Sequence, residues 1–308
     1  MAGSVFSLPV CGVIAITLWW LPECAFSLRS ALGLLVCLLA TYVVMETNAQ
    51  QHVIRIRSRM MSCVWLVLAT SLGFMHPFGE PIVAATLLCI GYLLLFRCYQ
   101  RHRPEAYTFH AFLMLSLGSF FAPVMLLMAI PFYLYLIVFL RSLTRKSFWA
   151  GILGLTVPYW CYAMWCFIDP LQTSPPMGNL PFIQPMEWEL WGGTSLPFSV
   201  QVSAAFIALL SIISIVHYLR NNYNDKIRVR MILYIYVSQT ILLLAFLLLQ
   251  PTQYQTTLAL LVASASPLIA HYFALTSSIL SNLFFVLSLL LTIAMATLNL
   301  WMTSFSIS

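Results

Sequence analysis

The chain has 308 residues, of which 62% are hydrophobic and 7% are charged. This composition excludes a water-soluble domain with an ordinary polar surface, and it predicts an integral membrane protein. The net charge of +6 does not indicate a nucleic-acid partner, because the cations lie in short loops between apolar runs, where membrane topology accounts for them. We therefore expect an all-α fold, a transmembrane helical bundle in which residues 1–308 form a single domain.

Thirteen of the fourteen Lys and Arg residues fall in four clusters between the apolar runs. Such clusters mark cytoplasmic loops under the positive-inside rule. All four are therefore expected on one side of the membrane, and the N-terminus is expected on the same side. The clusters are Arg55, Arg57 and Arg59; Arg97, Arg101 and Arg103; Arg141, Arg145 and Lys146; and Arg220, Lys226, Arg228 and Arg230.

Four apolar runs make up the first third of the chain. A helix needs about 20 apolar residues to cross the hydrocarbon core, and about 17 are a practical minimum, so each run is predicted to be one span. Outer turns are expected at residues 21–24 and 76–81, and the second of these contains the Pro and Gly that favour turns. The runs are residues 4–20, 26–45, 60–75 and 82–96.

The segment of residues 107–140 lies between two basic clusters, so it has to cross the membrane twice or not at all. We predict two short spans with a tight turn at residues 118–123. The alternative is a re-entrant pair, because Pro123 and Pro131 can interrupt helices that are buried against other protein.

The second half of the chain is predicted to contain a span at residues 148–168 and an outer loop at about residues 169–197. A further span at 198–218 leads into an inner polar loop at about residues 220–230. Residues 231–308 contain no Asp, Glu, Lys or Arg, and three spans fit there. The total is about eleven spans, and ten remains open because the last inner turn lacks cations.

Acidic and aromatic residues on the predicted outer face are candidates for catalysis. Glu187 and Glu189 would share one face of an extended segment and could act as a general base, and Trp188 and Trp191 could stack on a sugar. Glu23 follows the first span, where membrane-embedded glycosyltransferases of the C type commonly keep their catalytic carboxylate. In the alternative interpretation, topology leaves the acids outside and the tryptophans mark the membrane interface.

The predicted span centres contain no Asp, Glu, Lys or Arg, which disfavours a proton-driven carrier with an acidic relay. The main polar candidate inside the membrane is His271, together with Ser266. Pro267 between them frees a backbone carbonyl, and the neighbouring small residues allow close helix packing. One interpretation is a small substrate-binding pocket at a broken helix, and the other is a set of hydrogen bonds that hold helices together.

Cations of the inner loops are candidates for binding phosphate headgroups of lipids. The alternative is that they determine topology alone, with Asp225 pairing with a neighbouring group. The eight cysteines lack metal-ligand spacing, so the sequence predicts no metal site and no cofactor. The candidate headgroup-binding residues are Arg141, Arg145, Lys146, Lys226, Arg228 and Arg230.

Three stretches carry a resemblance to a known family. They are residues 141–149 with the following GILGLTVPY, residues 225–230 (DKIRVR) and residues 266–275 (SPLIAHYFAL). Through them the chain resembles an uncharacterised family of polytopic inner-membrane proteins found in Bacteroidota, a domain of unknown function. The resemblance implies a multi-pass fold in a bacterial inner membrane, and it implies no catalytic residue.

These observations support two hypotheses for function. In the first, the protein handles a lipid-linked envelope precursor carried on polyprenyl phosphate, as a C-type glycosyltransferase-like protein, a flippase or a partner subunit of either. In the alternative, it is a non-enzymatic subunit of a membrane complex or a small-solute transporter, in which His271, Gln239 and Asn299 serve packing or passage. The expected partners are membrane lipid, a polyprenyl-phosphate-linked substrate and other inner-membrane proteins.

Overall fold

The structure is a computed structural model that describes residues 7–20, 27–56, 58–168, 197–276 and 278–305. Within these ranges it describes all side chains except those of residues 166–168 and 300–305. All regular secondary structure in the described ranges is helical, as the sequence predicts.

The helices follow one another with short connections. Turns of 3-10 helix at Gly73–Met75, Asn222–Asn224 and Pro251–Gln253 lie between some of them. In the described ranges the α-helices are α1 Ser7–Trp20, α2 Leu28–Gln51, α3 Met60–Ser71, α4 Glu80–Phe96, α5 Glu105–Ser119, α6 Val124–Leu127, α7 Ala129–Val138, α8 Arg145–Ile168, α9 Phe198–Asn221, α10 Ile227–Leu249, α11 Tyr254–Leu275 and α12 Ile279–Phe305.

Five helical segments of the described ranges are long and apolar enough to cross a membrane. Other apolar helices are shorter, and α3, with 12 residues, rises only about 18 Å against a hydrocarbon core of about 30 Å. The chain is therefore a helical membrane protein with five helices that could cross on length and composition alone. These five are Leu28–Gln51, Phe198–Asn224, Ile227–Leu249, Pro251–Leu275 and Ile279–Asn299.

The predicted pair of spans at residues 107–140 forms one helix, a turn and a broken helix. α5 ends at Ser119, and α6 begins at Val124, so the tight turn lies where the sequence predicts it. Met128 separates α6 from α7. α5 packs along α8 and α4, which places this segment beside the centre of the bundle.

Helix α11 forms the centre of the bundle. In its most apolar window 83% of the residues are buried, whereas the other four candidate spans have between 28% and 44% buried. Every residue from Thr256 to His271 is buried, and α3, α4, α9 and α10 pack around it. Small side chains such as Ala263 and Ala265 allow this close packing from several sides.

A turn before α4 covers the start of α2. The main chains of Arg29 and Phe78 are linked by a hydrogen bond of 2.9 Å from the Phe78 amide to the Arg29 carbonyl. The Arg29 Nε donates back to the Phe78 carbonyl at 3.0 Å. Gly33 lies under this turn, and a Cβ atom there would overlap the carbonyl oxygen of His76. The glycine therefore lets the turn rest directly on α2.

Candidate functional site

The four basic loops lie at the same end of the bundle. Arg55, before α3, contacts Asp225, before α10. Arg97, after α4, bonds to the end of α2 through Gln50, and the Gln100 amide donates to the Leu140 carbonyl at 3.1 Å. We call this end of the molecule the basic end. Its existence agrees with the prediction that all four clusters share one side.

A buried carboxylate connects three segments at the basic end. The side chain of Asp225 is 1% exposed, and its Oδ1 lies 3.0 Å from Nε of Arg55. The contact is an ion pair and not an aligned hydrogen bond, since Oδ1 has no hydrogen-bond partner in the part of the chain that the structure describes. Arg55 also donates from Nη1 to the carbonyl of Asn224 at 3.1 Å. Burial of a carboxylate requires such compensation by charge and hydrogen bonding.

His271 is the second partner of Asp225. Its Nε2 lies 3.1 Å from Oδ2 of the carboxylate, and because an ionised carboxylate only accepts, Nε2 carries the proton. The edge of the imidazole meets the ring of Tyr218 at 5.5 Å between centroids. The Nδ1 atom is buried and has no hydrogen-bond partner among the described residues. His271 therefore joins α11 to the loop before α10.

The pocket interpretation of Ser266 and His271 assumes a helix that is broken at Pro267. α11 is uninterrupted from Tyr254 to Leu275, with Pro267 inside it, because the surrounding helices bury this part on every side. The Ser266 hydroxyl is buried without a hydrogen-bond partner among the described residues. His271 bonds to Asp225, a loop residue at the basic end.

Two arginines are held by adjacent glutamines in the last turn of α2. Gln50 accepts from Nε of Arg97 at 2.9 Å, and Gln51 accepts from Nη2 of Arg228. The amide of Gln50 is oriented by Glu46, which accepts from its Nε2. Its oxygen therefore faces the guanidinium. Both arginines are positioned by neutral oxygens, which leave the positive charge in place.

Aromatic rings hold these guanidinium groups from another side. The ring of Tyr107 lies 4.6 Å from Cζ of Arg101 and 5.9 Å from Cζ of Arg97. The ring of Tyr99 lies 5.7 Å from Cζ of Arg228. Cation–π contacts of this kind orient a guanidinium without neutralising it. We call Arg97, Arg101 and Arg228 the arginine group.

The remaining predicted headgroup-binding cations lie in or next to the loops of the basic end. Arg141, Arg145 and Lys146 are exposed, and none of them pairs with an acid among the described residues. Arg145 and Lys146 begin α8, where the helix dipole disfavours cations. Lys226 is exposed, and Arg230 is half-buried, with its carbonyl accepting from the Tyr218 hydroxyl at 3.2 Å.

The predicted outer residues Glu23, Glu187, Glu189, Trp188 and Trp191 lie outside the described residues. At the end of the bundle opposite the basic end, the structure describes one further acid of the predicted outer face.

That acid is Glu80, which precedes the predicted span 82–96. Its Oε1 accepts from the Thr256 hydroxyl at 2.9 Å. Partial burial raises the pKa of the Glu80 carboxyl, and the Thr256 hydrogen bond offsets part of this increase.

Polar groups between the helices form a second set of contacts. Tyr135 donates to Gln239 at 2.9 Å, and Tyr92 and Ser264 share a hydrogen bond of 2.8 Å. Asn299 donates to the Ser71 carbonyl at 2.8 Å. Each bond joins two different helices, so these residues stabilise packing.

Sequence reasoning did not identify Gln50, Gln51, Tyr99 or Tyr107 as parts of a site. Polar residues at the end of an apolar run are common, and nothing in their spacing reveals an arginine from a distant loop. For Asp225 the sequence does contain a signal of a structural role, because it is the single acid among the cations of residues 220–230. Its partners turn out to be Arg55 and His271, both remote in the chain.

The chain matches no protein-family model, no curated protein and no solved structure. The functional argument therefore depends on the geometry of the basic end.

Proposed function

We propose that the chain is a multi-pass protein of the bacterial inner membrane, with about eleven crossings. Its basic end and its N-terminus face the cytoplasm, in accordance with the positive-inside rule. The gathering of the four basic loops at one end supports this orientation. The short helices α1, α3 and α7 would then cross by packing against longer neighbours, where flanking residues and local thinning of the bilayer absorb the mismatch.

In this proposal the protein handles a lipid-linked envelope precursor, and the arginine group binds the phosphate of its polyprenyl carrier. The observation that carries the proposal is the neutral character of the groups that hold Arg97, Arg101 and Arg228. A guanidinium paired with a carboxylate has little charge left for a ligand, whereas one held by an amide oxygen or a ring keeps it. Glu46 bonds to Gln50 and forms no ion pair with these three arginines among the described residues, so the net charge of the group stays positive.

The position of the group suits a lipid ligand. Arg101 and Arg228 are exposed at the end of helices whose sides carry exposed apolar residues such as Leu35, Leu38 and Leu248. A polyprenyl chain in the bilayer would lie along the apolar sides, with its phosphate at the level of the arginines. Exposed Arg145 and Lys146 extend the positive surface toward anionic headgroups.

The proposed role is that of a C-type glycosyltransferase-like protein, a flippase or a partner subunit of either. In the glycosyltransferase version Glu23, Glu187 and Glu189 supply the catalytic carboxylate on the outer face, and Trp188 and Trp191 hold the sugar. In the flippase version the arginine group receives the phosphate on the cytoplasmic face.

Native mass spectrometry of the full chain in mild detergent tests the proposal. We expect a retained polyprenyl phosphate or its sugar adduct, because a phosphate on several guanidinium groups survives gentle desolvation. Retention of bulk phospholipid alone would contradict the proposal.

A second candidate function is that of a non-enzymatic subunit or a small-solute transporter. The hydrogen bonds of Gln239 and Asn299 to neighbouring helices favour it, because these polar groups have a structural explanation. A co-purifying membrane protein in the same experiment would support this candidate.

A further inference from the structure

Three contacts join the end of α2 to the start of α10. Arg55 contacts the carboxylate of Asp225 at 3.0 Å and the carbonyl of Asn224 at 3.1 Å. Arg228 donates to Gln51. The two segments are about 170 residues apart in the chain, and both lie at the basic end. We call these three contacts the clamp.

Two of the three clamp contacts join an exposed cation to a buried side-chain acceptor. The side chain of Arg55 is 45% exposed, whereas that of Asp225 is 1% exposed. Arg228 is likewise exposed, and Gln51 is buried. A ligand arriving from the surface therefore reaches both guanidinium groups without displacing the packing beneath them.

A phosphate is a strong competitor for these guanidinium groups. It accepts two parallel hydrogen bonds from one arginine, and its charge strengthens both. The amide oxygen of Gln51 offers Arg228 one neutral acceptor, and the Asp225 contact to Arg55 is an ion pair without an aligned hydrogen bond. Arginine side chains are long enough to turn toward a new partner while their backbone stays in place.

His271 lowers the energetic cost of separating Arg55 from Asp225. A buried carboxylate that loses its only partner is strongly destabilised. Asp225 would keep the hydrogen bond from His271, so it is not left alone when Arg55 turns away. Asp225 thus has one exposed partner, Arg55, which can leave, and one buried partner, His271, which stays. This arrangement allows the Arg55 contact to open and close.

We propose that the clamp holds the basic end closed, and that a lipid phosphate on the arginine group opens it by drawing Arg228 from Gln51 and Arg55 from Asp225. The inference rests on the proposed function, because it requires the phosphate to bind there. Arg55 and Arg228 can bind the phosphate fully only in the open form. The ligand therefore favours opening through its differential affinity for the two forms.

Hydrogen–deuterium exchange of the purified full chain tests the clamp. The readout is exchange in peptides covering residues 50–56 and 222–230, since opening exposes their amides. A polyprenyl monophosphate should speed exchange there about tenfold, and the neutral polyprenol should not. An unchanged rate while native mass spectrometry shows bound lipid would overturn the clamp and leave the proposed function standing.

Variants that break the clamp contacts test whether these contacts hold the two segments closed when no lipid is bound. Asp225→Asn should give fast exchange in both peptides without lipid, and lipid should add little. Arg55→Gln, a surface change that keeps the core intact, should do the same if Asp225→Asn does not fold. Glu105→Gln is the matched control, an acid-to-amide change at the basic end outside the clamp.

Three further results would count against the inference. Slow exchange in Arg55→Gln without lipid would show that the clamp does not hold these segments. If inorganic phosphate opened the clamp at the same concentration as the lipid, the ligand would not have to be a lipid phosphate, and this part of the inference would be wrong. Failure of the wild-type chain to bind the lipid at all would overturn the proposed function together with the lipid-driven opening.

Discussion

His271 donates a hydrogen bond of 3.1 Å to Asp225, which lies 46 residues earlier in the chain. Both side chains are almost fully buried, at 5% and 1% exposed. A helix that is packed on all sides is thereby joined to a loop at the surface of the bundle. This bond and the Arg55 contact on the same carboxylate connect the first and the last basic loop to α11.

Asp225→Ala is expected to lower the free energy of unfolding by about 2 kcal/mol, since His271 then loses its partner inside the protein. Arg55 is partly exposed and regains water, which limits the loss. Unfolding in mixed micelles with increasing SDS measures the change. Asn224→Ala is the control, because only the backbone carbonyl of Asn224 contacts Arg55. Equal stability of the two variants would contradict the structural role of the carboxylate.

Arg101→Gln is expected to weaken binding of polyprenyl monophosphate about tenfold, equivalent to about 1.4 kcal/mol, because a charge-assisted hydrogen bond is lost. Arg103→Gln removes the same charge two residues away and outside the arginine group, so it should bind nearly as the wild type. Lipid titration followed by native mass spectrometry compares them. The same loss in both variants would indicate a diffuse electrostatic attraction and not a site.

Gly33→Ala is expected to destabilise the protein by about 2 kcal/mol or more, because the new methyl group would overlap the His76 carbonyl and force the turn before α4 off α2. Gly12→Ala is the matched control, since a Cβ there meets no atom of the described residues within 4 Å. Thermal unfolding of the two variants in the same detergent gives the comparison. A stable Gly33→Ala protein would mean that the turn does not rest on α2.

Thr252→Cys and Tyr223→Cys test the orientation. Thr252 is exposed in the 3-10 turn Pro251–Gln253, between α10 and α11, which the proposed topology places on the outer side. Tyr223, at the basic end, is 70% exposed. A membrane-impermeant thiol reagent applied to intact cells should label Thr252→Cys above the background of the wild-type cysteines. Tyr223→Cys should be labelled only after lysis. The opposite pattern would reverse the proposed topology.

Alanine at both Glu23 and Glu187 tests the glycosyltransferase version of the proposed function. Loss of a catalytic carboxylate should change the envelope glycans while the amount of protein in the membrane stays constant. Immunoblotting and glycan profiling of the same cells separate activity from abundance. Unchanged growth, glycans and abundance would eliminate this version and leave the flippase and subunit roles.

The sequence was sufficient to locate the helices and the shared end of the basic loops. Apolar runs become helices because a backbone in lipid must satisfy its hydrogen bonds within its own segment. The turn between Ser119 and Val124 could be predicted from charge. A segment with basic loops on both flanks has to return to the side from which it started. Helix length was less predictable, and α3 is shorter than its apolar run because the chain changes to a 3-10 turn at Gly73.

Only the tertiary structure decided which polar groups meet. The sequence treats α11 as one apolar run among several, but packing places it at the centre, keeps it continuous through Pro267 and brings His271 to Asp225. The meeting of Arg228 with Gln51 also depends on how two helices are rotated and shifted against each other. Local hydrophobicity determines where a helix forms, whereas its neighbours are determined by close packing of side chains from the whole bundle.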